Sequence, residues 1–324
     1  MTFNAYSKNN LSEQELIKEY FSKHQEAYGT VDVSIGDDAA IVSPPENTKL
    51  VITTDTLNVG VHFYQDCEAK FVGHKSLAVS LSDIAAMGAN PLWATLSLSL
   101  PNINHEWLKG FSDGIYALAD SYNLRIVGGD LVKGPLSITV QVIGCLDNNQ
   151  HLLRSACQID DLIYVSGTLG DAALGLALIN NESNIDLNAE DRDYFLTRLH
   201  TPMPRLEVSM HVADYAHAAI DISDGFLIDL QRMLTQSHKA AEIELTHIPV
   251  SKAMQARIKD LKDIKNLLIG GEDYELIFTI SPQDEAKLEQ YINTKNTVIS
   301  KVGKITKGSG ISLVNQGVPT DIPT

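Results

Sequence analysis

Five apolar runs in this 324-residue chain meet an acid beside Gly, Ser or Thr: Ile35-Gly-Asp-Asp, Ile52-Thr-Thr-Asp-Thr, Ile126-Val-Gly-Gly-Asp, Ile220-Asp-Ile-Ser-Asp-Gly and Ile269-Gly-Gly-Glu-Asp. The pattern predicts carboxylates carried at strand ends. A sixth acid, Asp83 in Leu81-Ser-Asp-Ile, falls inside a helical stretch whose small and apolar residues predict its burial against a sheet. Two carboxylates about 5 Å apart repel by roughly 3–4 kcal/mol at an effective dielectric of 20, so a cleft that collects several is comfortable only with bound cations. Oxygen donors without clustered His or Cys suit magnesium and not zinc. Any one of these motifs is an ordinary turn former. Five or six together point to metal-assisted chemistry, with phosphate as the anion that needs the metal.

The rest of the inventory narrows the class. Lys and Arg number 25 against 41 Asp and Glu, a formal charge of −16 that lacks the basic footprint of a nucleic-acid binder. Cys67, Cys145 and Cys157 are too few and too irregular for a disulfide framework, and none forms a CxxC pair. The N-terminal residues lack a basic start followed by an apolar core, and no apolar stretch is long enough to span a bilayer. The expectation is a soluble cytoplasmic protein without nucleic-acid or membrane partners. GxxxxGK[ST], a strand-borne GxGxxG and the HRD and DFG pair are all missing, so a nucleotide site must be built otherwise. The backbone of Gly128-Gly129, the Gly167–Gly170 turn before a helix, and Arg154 are candidate phosphate contacts. His62, between apolar neighbours, and Glu272 also stand out, but residue type and spacing do not assign their roles.

These groups must be positioned by a mixed α and β framework. Ser12 with Glu15 forms a capping box before an amphipathic face of Leu16, Ile17, Tyr20 and Phe21. Strand-like runs at 31–35, 50–54, 92–100 and 136–146 alternate with helical periods at 68–87 and 107–122. The sequence turns polar around 151–161, which sets a domain boundary near 150. Beyond it, strands are expected at 162–166, 218–223, 241–245 and 275–280, with helices at 172–179, 190–199, 205–216 and 226–235. The acidic stretch 180–193 reads as a solvated loop.

Taken in order, Gly36-Asp-Asp-Ala-Ala, the run from Thr53-Thr-Asp-Thr-Leu to Gly60-Val-His-Phe, the run from Gly73-His-Lys-Ser to Ala86-Met-Gly-Ala, Gly128-Gly-Asp, Val165-Ser-Gly-Thr-Leu-Gly-Asp-Ala, Ile220-Asp-Ile-Ser-Asp-Gly and Gly270-Gly-Glu-Asp-Tyr-Glu-Leu resemble the thiamine-monophosphate kinases. The likeness runs from about residue 30 to 310. The short motifs are shared across the wider aminoimidazole ribonucleotide synthetase-like (PurM-like) superfamily, whereas the two long strings resemble the kinase. The resemblance implies an α/β (α+β), PurM-like two-domain fold. Residues 1–150 would form an ATP- and metal-binding domain whose mixed sheet pairs with its copy in a homodimer, and 151–324 a C-terminal α/β domain. It also implies roles. Asp38, Thr53, Thr54, Asp55, Asp83, Asp130, Asp221 and Asp224 fall on metal positions, with Asp55, Asp130 and Asp221 expected to carry catalysis. Gly129, Arg154 and Ser223 fall on ATP positions, and His62 and Glu272 on those facing thiamine phosphate.

The implied reaction joins ATP and thiamine monophosphate to give ADP and thiamine diphosphate, with several Mg²⁺ ions. A phosphate acceptor is already ionised near neutral pH, so no general base is needed and positioning plus charge neutralisation suffice. One departure concerns the C-terminus: the family's aromatic segment that packs on the thiamine has no counterpart in Asn315-Gln-Gly-Val-Pro-Thr-Asp-Ile-Pro-Thr. Weaker acceptor binding, or replacement by Phe63 or Tyr274, is the expectation. Two readings compete. Another PurM-like enzyme is one; no Cys precedes Cys67 as a selenophosphate synthetase would need, and none closes the chain as in the hydrogenase-maturation relative. A non-catalytic nucleotide-binding relative is the other, against which the intact acidic motifs stand.

Overall fold

The computed structural model describes residues 11–24, 26–147, 151–182, 185–258, 261–295 and 297–320. They form two units, one holding the described residues up to 84 and from 89 to 147, the other 85–88 and those from 151 onward.

In the first unit the capping box forms as expected. The Glu15 amide donates to the Ser12 hydroxyl and the Ser12 amide to the Glu15 carboxylate, opening α1 (Glu13–Leu16). A single π turn, Ile17–Phe21, continues it and buries Phe21 edge-on to Phe111. A small antiparallel pair, β1 (Val31–Val33) and β2 (Ile41–Val42), precedes β3 (Thr48–Asn58), α2 (Ala69–Ala86), β4 (Asn90–Leu100), α3 (His105–Ser121), β5 (Arg125–Lys133) and β6 (Ser137–Asp147). The four long strands lie in the order β3-β6-β4-β5, so β3 and β5 are the edges. Only β4 and β5 run parallel, as the α3 connection between them allows. Along β3 the side chains alternate between a covered face with Val51, Thr53, Asp55 and Leu57 and an open one where Leu50, Ile52, Thr54 and Thr56 are exposed.

The second unit runs β7 (Leu162–Ser166), α4 (Asp171–Ile179), α5 (Ala189–His200), α6 (Leu206–Val212), β8 (Ala216–Ile222), α7 (Phe226–Ser237), β9 (Ala240–Glu244), α8 (Lys252–Gln255), α9 (Leu261–Ile269), β10 (Glu275–Ile280), α10 (Glu285–Lys295), β11 (Ile299–Thr306), β12 (Gly310–Asn315) and β13 (Val318–Pro319). Its seven strands lie in the order β13-β12-β9-β11-β7-β10-β8. All of β10 is buried, between β7 and β8. Ile163, Val165, Ile220, Ile222 and Ile277 meet Phe226 and Leu230 of α7 in the core beneath it.

The framework differs from the sequence expectation in places that bear on the site. Asp55 and Asp130 lie inside β3 and β5 and not at strand ends, and Ile269 closes a helix. The helix expected over 205–216 stops at Val212, because Ala216 already begins β8. The acidic stretch is not loop throughout: the Asn188 side chain caps α5 by accepting from the Asp191 amide, and Glu190 and Asp191 form its first turn, where negative charge suits the helix dipole. Residues 183 and 184 of that stretch lie outside the described residues.

Helices α2 and α3 cross at contact distance through glycines. A Cβ on Gly114 would stand 2.0 Å from the Lys70 carbonyl oxygen, and one on Gly73 would stand 2.1 Å from that of Phe111. Both clashes are with backbone, so the helices would have to part. Gly114→Ala is therefore expected to destabilise the first unit by about 2–3 kcal/mol, read as a lower urea midpoint at unchanged m.

Candidate functional site

The first group of acids forms where β3 meets α2. The Ser80 hydroxyl donates to Asp55 at 2.7 Å and to the Val140 carbonyl at 3.2 Å, while the Thr53 hydroxyl donates to Asp83 at 2.5 Å. Asp83 is half-buried, as its place in α2 predicts. Burial raises the Asp55 pKa above the usual carboxylate range; the Ser80 hydrogen bond opposes the shift and the Asp83 charge adds to it. Thr54 projects to the open face of the sheet, where its hydroxyl accepts from Gln141 Nε2.

The second group lines a cleft of about 870 Å³ beside the edge strand β5, with Asp38, Gly129 and Asp130 on its wall together with Ile17 and Lys18 of the π turn. Gly129 has φ +154°, and a Cβ there would stand 1.8 Å from the Leu96 carbonyl oxygen. No other residue fits. The register places Asp55 level with Val140, Leu96 and Gly129, three strand spacings or about 14 Å across the sheet. Asp130 falls one residue on, in the row of Ser97, Thr139 and Thr56, on the face opposite Asp55. Within the first unit the expected ligands thus form two groups, Thr53–Asp55–Asp83 and Asp38–Gly129–Asp130.

The third group belongs to the second unit. Asp221, buried in β8, lies 4.0 Å from the Arg154 guanidinium. The next turn is held from inside by Asp229, whose Oδ2 accepts the amides of Ser223, Asp224 and Gly225 at 3.0, 3.0 and 3.2 Å. Asp224 is exposed and paired with Arg232 at 2.5 Å, a partner it would have to give up to bind a cation. Glu272 and Tyr274 have φ +73° and +49°, and their amides donate to the carbonyls of Ser223 and Ile222 at 2.8 Å each. Such conformations cost roughly 1–2 kcal/mol per residue and persist only where their surroundings fix them. Asp273, between them, is buried and accepts from the amides of Gly170 at 2.8 Å and Ala172 at 3.4 Å. The Gly167–Gly170 turn is therefore filled by the chain's own carboxylate and does not offer the anion cradle expected of it. Glu275 follows, buried and bound by Arg198, Arg205 and Ser166.

His62 is exposed in the loop after β3, its Nδ1 accepting from the Asn58 amide at 3.0 Å and its own amide donating back to the Asn58 carbonyl. That bond leaves Nε2 to carry the proton of the neutral ring. Of the aromatics that could replace a C-terminal ring, Phe63 is buried and Tyr274 half-buried, and the last four residues of the chain lie outside the described ones. Ser80, Asp229 and Asp273 escaped the sequence reading as site-forming groups. The signal for Asp229 was present in its place one helical turn beyond Asp224-Gly225.

Among the described residues no three His, Cys, Asp or Glu side chains converge on a ready-made metal cage. Pairs of carboxylates with neighbouring hydroxyls are nonetheless what magnesium uses when phosphate and water oxygens complete its octahedron, so the donor set fits that ion.

A two-domain scaffold presenting carboxylates in this way is that of the AIR synthase-related proteins: the model of their N-terminal domain matches residues 36–146 and that of their C-terminal domain 158–315. Within that class the chain belongs to the thiamine-monophosphate kinase family and is a phosphotransferase. It is 41% identical to the thiamine-monophosphate kinase of Haemophilus influenzae over 93% of this chain and 91% of that one. The crystal structure of thiamine-monophosphate kinase from Stenotrophomonas maltophilia superposes with a TM-score of 0.87 at 37% identity, over 94% of this chain and 97% of the other. AaThiL complexed with AMPPCP and TMP gives a TM-score of 0.74 at 28% identity over 97% of each chain. No helix among the described residues is long and apolar enough to cross a membrane.

The buried Asp273 has a measurable consequence. Burial pushes its pKa up to about 8, against the opposing pull of the Gly170 amide and Arg198. The unfolded chain gives up that proton near pH 4. Between about pH 4 and pH 8 the folded state therefore binds more protons, and stability falls as pH rises through this window. Urea midpoints are expected to decline from pH 5 to pH 8, and Asp273→Asn to flatten that decline.

Proposed function

We propose that this chain transfers the γ-phosphoryl group of ATP to thiamine monophosphate, giving ADP and thiamine diphosphate, by direct in-line displacement. The observation that carries the reading is the match over nearly the whole chain to a relative in complex with AMPPCP and TMP. Asp38, Thr53, Thr54, Asp55, Asp83, Asp130, Asp221 and Asp224 are assigned to magnesium, Thr54 through its main chain given where its hydroxyl lies. Gly129, Arg154 and Ser223 are assigned to the nucleotide, and His62 and Glu272 to the acceptor. Bound magnesium supplies charge neutralisation over the phosphate oxygens. The chain's own part is positional. Ser80 and Thr53 orient Asp55 and Asp83, Gly129 lets backbone approach the phosphates, and Arg154 beside Asp221 offers a fixed positive charge to an anion. None of these groups pairs a nucleophile with a base, which favours transfer without a phosphoenzyme.

A homodimer belongs to the same proposal, and the first sheet supports it. Its open face carries exposed Leu50 and Ile52, and its edges β3 and β5 carry the two separated acidic groups. Pairing two such sheets covers the apolar face and brings the Asp55 edge of one copy toward the Asp130 edge of the other. The compartment inferred is the cytoplasm, where thiols stay reduced; no disulfide joins Cys67, Cys145 or Cys157.

Coupled ADP release should occur with thiamine monophosphate and not with thiamine or aminoimidazole precursors, and should require Mg²⁺. Asp55→Asn is expected to lower kcat by about a hundredfold or more. ATP–ADP isotope exchange without acceptor, or phosphate retained on the protein, would reject direct transfer. Light scattering should give a dimer mass that Ile52→Asp converts to monomer. Mixing inactive Asp55→Asn with inactive Asp130→Asn should restore part of the activity, since one site of each mixed dimer is then intact; no recovery on subunit exchange would confine each site to one copy.

A further inference from the structure

Two buried aspartates stand behind the loops of the second unit that carry the assigned ligand contacts, and they hold different loops. Asp229, 1% exposed, reaches up from the first turn of α7 and takes three consecutive amides, Ser223, Asp224 and Gly225. Its other oxygen accepts from Arg232 at 2.7 Å, which also pairs with Asp224. Asp273, also 1% exposed, lies within the Gly270–Tyr274 loop and points away from its neighbours, onto the first turn of α4. That helix has no side-chain cap of its own at Gly170. The fit is close: a Cβ on Gly170 would meet Leu267 at 2.3 Å and one on Gly271 the Ser223 carbonyl oxygen at 2.5 Å. With left-handed backbone at Glu272 and Tyr274 on either side, the Asp273 side chain ties this loop to the start of α4.

We infer that Asp229 and Asp273 are separate positioning residues, Asp229 for the nucleotide through the Ser223 turn and Asp273 for the acceptor through Glu272. Neither touches substrate. The inference rests on the assignment of Ser223 and Glu272 made above. Its particular claim is that the two contacts are set by independent anchors, one on α7 and one on α4, so that loosening one leaves the other in register. The two loops also touch directly: the Glu272 and Tyr274 amides donate to the Ser223 and Ile222 carbonyls, and Gly271 packs on the Ser223 carbonyl.

The test is a pair of isosteric substitutions with both Michaelis constants measured for each. Asp273→Asn should raise the KM for thiamine monophosphate about tenfold or more and leave the KM for ATP within about twofold. Asp229→Asn should do the reverse. Adding Asp273→Asn to Glu272→Gln should cost far less than the sum of the two single effects, because one residue acts through the other. Both constants rising together in both variants would mean a merely structural role and overturn the inference. Glu272→Gln alone separates the two levels: an unchanged acceptor KM there removes the assignment of Glu272, whereas a raised KM there with no effect of Asp273→Asn removes only the inference. Should either substitution prevent folding, hydrogen exchange on the parent protein decides. Thiamine monophosphate should slow exchange at Glu272, Tyr274, Gly170 and Ala172 together while leaving the Asp224 and Gly225 amides less affected. Slowing at Glu272 and Tyr274 without Gly170 and Ala172 would overturn it.

Discussion

Negative charge that must stay in place before any counter-ion arrives is the constraint on which the molecule is built. A carboxylate drawn from water needs donors, and a guanidinium in every position would neutralise the charge that the proposed magnesium sites require. Small donors solve this. Serine and threonine hydroxyls hold Asp55 and Asp83, and backbone amides hold Asp229 and Asp273. Arginines also take part in the second unit: Arg198 and Arg205 lock the start of β10 through Glu275, and Arg154 and Arg232 stand beside Asp221 and Asp224. Asp55 and Asp83 are thus oriented by hydroxyls, whereas Glu275, which supports the fold, is held by two arginines.

The same constraint explains why so much of the chain is small. A helix that brings Ser80 and Asp83 to within hydrogen-bond reach of β3 must lie close to the sheet, and α2 does so on Ala, Ser and Gly. Its partner α3 then has to approach through Gly114 and Gly73, where backbone meets backbone. Gly129 repeats the device within the sheet, where the Leu96 carbonyl occupies the space a side chain would take. Packing and chemistry here place the same demand on residue size.

Much of this was legible in the sequence, and the reasons differ by element. The long strands and α2 and α3 carry strong periodicity, and the acidic motifs identified the family by their order. Where each acid sits was less legible. Asp55 and Asp130 look like strand ends because Gly, Ser and Thr follow or precede them, yet the ladders of β3 and β5 run on through both. Periodicity also cannot tell that adjacent rows of the sheet put Asp55 and Asp130 on opposite faces; that depends on pairing between strands far apart in sequence. Helices α9 and α10 and strands β11 and β12 went unanticipated; charged residues interrupt the apolar pattern of α9, α10 and β11, and β11 is broken by an irregular register between Lys301 and Gly303. The anchors Asp229 and Asp273 were hidden for another reason: each bonds to backbone amides, which leave no trace in side-chain composition.

The strand order of the second sheet bears on how the chain is made. In the first sheet every strand finds its neighbours by the time β6 is complete, so that sheet can form early in synthesis. Strand β7 comes next from the ribosome, but its two neighbours are β10 and β11, separated from it by more than a hundred residues in register pairs such as Val165 with Ile277 and with Ser300. Its apolar face has no sheet to join while α4 through α9 are being made. Non-local pairing of this kind is slow and leaves strand edges open to other chains in the interval. The second sheet is accordingly the slower of the two to form, and β7 keeps one open edge even after β10 pairs with it, until β11 has been made.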